Sequence, residues 1–273
     1  LSRVPYYRNA MDSFGDHLRH WRALRRMSQL QLAAAAEVSG RHVSFLESGR
    51  AQPSRAMLLR LAHALTIPHE ARNGMLEAAG FARLYHRSDL AADHMTAIRS
   101  AMALMIARHD PYPAIILDRT WRIADLNRTG TILFAMAGLA QADSLLDFIT
   151  SPDRAAATVE NWGEVGHHML HRLRNESRAA GGIDALDRAA RQLQHDPAVA
   201  AFVPTSPLPP ILSTIYRAGS LRLPLFSTFA QFSGAEDLAL TDLKIELMFP
   251  ANPEAQVILE KLRDAQVSSA ATK

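Results

Sequence analysis

Over the first eighty positions apolar residues recur at helical spacing in short bursts, most of them opened by a residue that suits a helix start. Ser28 precedes a stripe of Leu32, Ala33 and Ala36, and Glu37-Val38-Ser39 breaks it. Ser39 then opens a second stripe carrying Val43 and Leu46. A serine in that place accepts a hydrogen bond from an amide of the first turn that would otherwise lack a partner. Small Ala33 lets the two short helices cross closely, and Gly49 suits a left-handed exit from the second. Leu18, Trp21 and Leu24 give one stripe over 14–26. Leu58, Leu61, Ala62 and Leu65 give another over 54–65, capped by Ser54. Pro68 opens a further helix that Gly80 closes. The pattern predicts a compact all-helical bundle over residues 1–80. A helical linker over 81–109 follows, with Met95, Ile98, Met102 and Met105 spaced for packing.

From Asp110 onward the period changes. PAIILD (Pro113 to Asp118) and WRIADL (Trp121 to Leu126) read as short strands joined by a tight turn, and Asn127 caps the next helix. A short element at 144–148, a helix over 153–178 and another over 183–194 come next. Asp196-Pro197 ends the last of these, and proline-rich Pro204 to Pro210 is a loop. Strands are expected over Ile211 to Arg217, Leu221 to Ser233 and Leu240 to Phe249. A last helix runs from Asn252-Pro253 to near Asp264. Two strands, a block of helices and three more strands make an α+β domain over 110–266, with an antiparallel sheet and helices on one of its faces. A frayed tail over 267–273 ends the chain.

The 273 residues suit two domains, and a hydrophobic content of 48% fills their cores. The net charge of +3 says little, but its distribution matters. Arg19, Arg22, Arg25, Arg26, Arg41, Arg50, Arg55 and Arg60 crowd the first sixty positions against few acids, which favours a polyanionic partner. There is no cysteine, so disulfides, thiolate catalysis and cysteine-bound zinc or iron are excluded. No apolar run approaches the roughly 20 residues that span a bilayer. The opening LSRVPYYRNAM lacks a signal-peptide layout, so a cytoplasmic protein is expected.

Cap, turn, glycine and core positions from Ser28 to Ser54 fall in the register of a helix-turn-helix. The segments Leu18 to Ala33, Val38 to Arg50 and Pro53 to Leu65 closely resemble the Xre/Cro-type helix-turn-helix family. That resemblance implies a lambda-repressor-like all-α bundle that reads double-stranded DNA with its second motif helix. It assigns Gln29 to phosphate and the variable base-reading positions to Gly40, Arg41, Ser44 and Phe45. Ser39, His42 and Ser54 border that surface, and Arg50 is placed for backbone phosphate. Arg41 is the main candidate for specificity, since arginine grips guanine with two hydrogen bonds.

The strand order resembles PAS-type sensor domains, which enclose small ligands between sheet and helices. Pro111 to Asn127, Trp162 to Arg174 and Phe226 to Asn252 further resemble the MmyB-like bacterial regulators. The resemblance implies an elongated apolar ligand such as a fatty acid. Its candidate pocket residues are Trp121, Ile123, Phe134, Phe148, Trp162, Met169, Phe226, Phe229 and Ile245. Phe232 and Phe249 belong to the same aromatic set, and a filled core is the competing account of all of them. An acid headgroup needs a cation, for which His168, Arg172, Arg174 and Arg222 are candidates, Arg174 first.

His167 and His171 share a helix face near Glu164, but no HExxH order or third metal ligand is evident. There is also no GxSxG elbow and no glycine-rich phosphate loop. The sequence thus reads as a non-enzymatic, ligand-responsive transcription regulator, a homodimer on a pseudo-palindromic operator, with no required cofactor or metal. The alternatives are a DNA-binding protein whose second domain serves only dimerisation, and a hydrolytic or metal enzyme.

Overall fold

The computed structural model describes residues 13–139, 144–204, 210–232 and 234–270. Most of the expected Pro204 to Pro210 loop, and Ser233 at the expected end of a strand, lie outside them. The chain divides into two compact units. The first holds the residues up to Arg87 together with Arg178–Gly182 and Glu236–Leu238. The second holds Ser88–Ser177, Ile183–Ala235 and the residues from Ala239.

The first unit contains α1 (Phe14–Leu24), α2 (Gln29–Ala35), α3 (Gly40–Glu47), α4 (Arg55–Ala64) and α5 (His69–Ala78). Serines cap the first four: Ser13, Ser28, Ser39 and Ser54 each accept a first-turn amide. At α2 the cap is reciprocal, because the Gln31 side chain also takes the Ser28 amide. Leu18, Trp21, Leu32, Val43, Leu46, Leu58 and Leu61 fill one core. Gly15 allows α1 to touch the end of α3, since a Cβ there would lie 2.7 Å from the Glu47 carbonyl oxygen. Gly49 leaves α3 with φ +72°, the left-handed exit expected of it.

The second unit opens with α6 (Thr96–Arg108), β1 (Ala114–Leu117), β2 (Ile123–Leu126) and α7 (Arg128–Met136). A helical stretch follows: α8 (Leu145–Ile149), α9 (Pro152–Thr158), α10 (Trp162–Ala180), α11 (Asp184–Gln194) and α12 (Pro197–Ala201). Then come β3 (Thr214–Ala218), β4 (Leu221–Ala230), α13 (Leu238–Thr241), β5 (Lys244–Pro250) and α14 (Pro253–Ala270). Among the described residues the strands form one antiparallel sheet in the order β2-β1-β5-β4-β3. Pairing fixes its two faces. Ile116 opposes Ile245, which opposes Ala230, so these share one face. Ile115 and Phe229 oppose Glu246, Leu117 opposes Lys244, and Tyr216 opposes Leu223, all on the other.

Both faces are covered, not one as expected. Met102 and Ile106 of α6 pack with Ile116 and Ile245 on the first face. Arg172 and Glu176 of α10 reach the second, where Glu176 meets Lys244. The helix expected over 153–178 is broken into α9 and α10. The break falls where Val159 bridges to Tyr216 and the Glu160 amide donates to the Ile215 carbonyl, so strand pairing overrides helical propensity. At the end of the chain, α14 continues past Asp264 to Ala270.

Candidate functional site

In the helix-turn-helix, a buried carboxylate sets the geometry of the reading helix. Glu47, the last residue of α3, accepts from Arg22 Nε at 2.6 Å and Nη2 at 2.9 Å, and from Gln29 Nε2 at 2.7 Å. Its backbone carbonyl accepts from Arg19. Burial pushes the carboxyl up, but the hydrogen bonds from Arg22 and Gln29 and the arginine charges outweigh it and hold it below the usual range. The expected phosphate-facing Gln29 is therefore tied to Glu47 in the free protein. Arg22 and Arg25, counted in the basic cluster, also serve the fold: Arg25 donates to the Leu65 carbonyl and lies over Trp21.

Arg41, Arg50, Arg55 and Arg60 are exposed. The Arg41 and Arg50 guanidiniums lie 5.1 Å and 5.9 Å from the Phe45 ring centre. Ser39 and Ser54 face solvent at their caps, and His42 and Ser44 are half-buried. Gly40 accommodates Leu30, whose Cδ2 would come within 2.8 Å of a Cβ there.

The sensor candidates do not gather in one place. Ile245 packs against α6, and Phe226 stacks on Phe249, its cross-strand partner on that same face. Phe148 meets Trp162 edge to face, and the Trp162 indole donates to Asp196 at 2.9 Å. Phe134 is buried in α7, Met169 and Ile123 are half-buried, and His168 is exposed. Arg174 is exposed and donates to Gln194, so the first candidate for a headgroup cation faces outward. Arg222 is held on the surface by Glu160 at 2.9 Å and 3.0 Å.

Trp121, Arg172 and Phe229 do meet. The Arg172 guanidinium lies 4.5 Å from the Trp121 ring centre and 3.8 Å from that of Phe229. Glu176, one turn further along α10, gathers three donors: Arg172 at 2.8 Å, Lys244 at 2.6 Å and the Trp121 indole at 2.8 Å. Trp121 is fully buried at φ +62°, an unfavourable backbone region for a bulky residue. Hydrogen bonds from Leu145 and Ser144 to its carbonyl hold it there.

Beside this cluster lies Glu246, 6% exposed, whose Oε2 has no hydrogen-bond partner. Burial raises its carboxyl above the usual range, against the pull of Arg172, Ser227 and Lys244. The sequence pattern marks Lys244 and Glu246 only as strand residues. In KIELMF the polar residues alternate, which suggests a solvent face, but here that face is turned inward. On the same face, a narrow apolar recess is lined by Leu133, Met136, Tyr216, Leu221 and Leu223. Burial, then the nearby Glu246, raises the Tyr216 phenol.

The rings of His167 and His171 lie 4.7 Å apart, and Glu164 takes a hydrogen bond from Asn161. Among the described residues no three histidine, cysteine or acid side chains gather as a metal would need. No helix there is long and apolar enough to cross a membrane.

A helix-turn-helix with exposed arginines, joined to an α+β domain with a charged interior, is the layout of a DNA-binding regulator with a separate sensing domain. Residues 98–262 match the MmyB-like transcription regulator ligand binding domain, and residues 13–73 match a helix-turn-helix domain. The first match covers more than half of the chain, and the protein belongs to the MmyB-like transcription regulators. A stretch of 79 residues is 38% identical to the HTH-type transcriptional repressor RghR of Bacillus subtilis (strain 168). It makes up 29% of this chain and 56% of RghR, so the chain spans about half the length of the curated relative it matches.

Proposed function

We propose that this DNA-binding transcription regulator is controlled by a small, elongated apolar molecule such as a fatty acid, taken up by its α+β domain. The DNA-reading set is Gln29, Ser39, Gly40, Arg41, His42, Ser44, Phe45, Arg50 and Ser54. The protein acts as a homodimer, with half-site centres about 34 Å apart or a multiple of it, because two symmetric reading helices enter successive major grooves. The observation that carries the ligand reading is the match of residues 98–262 to a ligand binding domain; the structure adds a narrow apolar recess on the inner sheet face, which would have to widen to take such a chain. Each buried methylene contributes roughly 0.8 kcal/mol, so a chain of about 12–18 carbons has ample driving force even against its lost freedom. The same layout suits a cytoplasmic regulator with no required cofactor and no catalytic role.

The test is thermal unfolding of the full chain across a series of fatty acids. Long chains should raise the melting temperature in proportion to their saturation of the folded state, and short-chain acids far less. No shift at any length would leave the domain as an assembly module with a filled core.

A further inference from the structure

One face of α6 is buried on the sheet and the opposite face is open. Met102 and Ile106 pack with Ile116 and Ile245, and Ile98 adds to them. Met105, spaced in the sequence to pack with these, is instead 43% exposed, and Leu104 beside it is 57% exposed. Ala97, Ala101 and Arg108 are exposed as well. Ala97, Ala101, Leu104 and Arg108 follow one another at intervals of four, three and four residues, which aligns them along one side of the helix. That is the spacing of a seam between two packed helices, with small residues beside a large one. The seam carries a charge at each end. Arg108 closes α6, and Asp93 stands exposed in the single turn Asp93–Met95 that precedes it. Arg99 donates to the carbonyls of Leu90 and Ala92 and to the Thr96 hydroxyl, which pins that turn to the start of α6. Among the described residues neither the Asp93 carboxylate nor the Arg108 guanidinium has a hydrogen-bond or ion-pair partner.

Resting on the reading that the protein acts as a homodimer, we infer that the outward face of α6 is where two copies meet, packed antiparallel about a two-fold axis near Ala101. An acid at one end, a base at the other and apolar residues between make this face complementary to itself, as a two-fold interface requires. The axis brings Arg108 of each copy to the Asp93 of the other, and Leu104 to the small Ala97. A parallel pair would instead set like charges together and align the two helix dipoles. The 13 residues of α6 make a helix about 20 Å long. One helix pair of that length covers less than the roughly 800 Å² per partner of a standard stable interface. The dimer in solution is therefore reversible, with a dissociation constant in the micromolar range.

The experiment is sedimentation velocity of the full chain over a concentration series, with the melting temperature as the check on folding. The native protein should pass reversibly from monomer to dimer. Leu104→Glu, at an exposed position, should leave the melting temperature of the monomer nearly unchanged. It should weaken association by about a hundredfold, because symmetry places the unpaired carboxylate in the interface twice. Asp93→Arg and Arg108→Glu should each weaken association by about tenfold, since each turns two attractive contacts into repulsive ones. Combining the two reversals should restore it to within about threefold of native. The combined reversal puts a cation at the start of α6 and an acid at its end, which is unfavourable for the helix itself, so recovered association reports a contact between copies. A dimer that survives Leu104→Glu, or charge reversals that their combination does not rescue, would overturn the assignment to α6 while leaving a homodimer built on another face. A native chain that stays monomeric at every concentration would remove the homodimer reading and this interface with it.

Discussion

Arg41 and Arg50 lie over the same ring, that of Phe45, on the exposed side of α3. Stacking holds two flexible side chains near the proposed DNA-reading surface, so less freedom would be lost on binding. Their proposed roles differ, and mutation separates them. Arg41→Ala should cost about 1–3 kcal/mol at the specific site and relax its base preference. Arg50→Ala should weaken binding to every sequence and reduce the salt slope by about one ion. Competition binding against random DNA at several salt concentrations reads both effects. If Arg41→Ala left base preference intact, the reading face would be misassigned. These residues were legible because their spacing around Val43 and Leu46 fixes which side of α3 is outward. Arg174 is the converse case: a match in sequence order says nothing about which side of α10 a residue faces, and it is exposed and donates to Gln194.

Between elements, Glu47 joins three helices of the DNA-binding unit through Arg22, Gln29 and Arg19. Glu47→Ala should destabilise the protein by about 2 kcal/mol at neutral pH, since it leaves half-buried Arg22 without its carboxylate and Gln29 without its acceptor. The folded carboxyl lies below its ordinary value, so its contribution is complete above the unfolded range near pH 4.5. It is lost as pH falls through the folded value. Urea melts at neutral and acid pH should show the gap between native protein and variant narrowing in acid, and a constant gap would contradict the ion pair. The helices themselves were legible from their caps: Ser28, Ser39, Ser54 and Asn127 start them as expected. Asn127 does more than periodicity suggests, because its Nδ2 also donates to the carbonyls of Ile106 and Tyr112 while its Oδ1 takes the Ala114 amide. Strand ends were less legible. Leu238–Thr241 forms a helical turn where a strand was expected to begin, because β5 starts only where it can pair with Leu117.

For the whole molecule, sequence gave away a DNA-binding bundle followed by an α+β domain, since each has its own period and its own caps. The sensor's interior was hidden, because strand register decides which alternate residues are buried and no local pattern reports it. Register turns Lys244 and Glu246 inward and sends Ile245 and Phe226 to the opposite face. The central claim is that ligand occupancy and DNA affinity are linked in one protein, and linkage requires the ligand to favour one of two states of that protein. The direct measurement is operator affinity by fluorescence anisotropy, on a sequence selected from random DNA, with and without saturating dodecanoate. The account predicts a change in Kd of about fivefold or more, in the range of ordinary allosteric coupling. Unchanged affinity under conditions where calorimetry shows the ligand bound would contradict it.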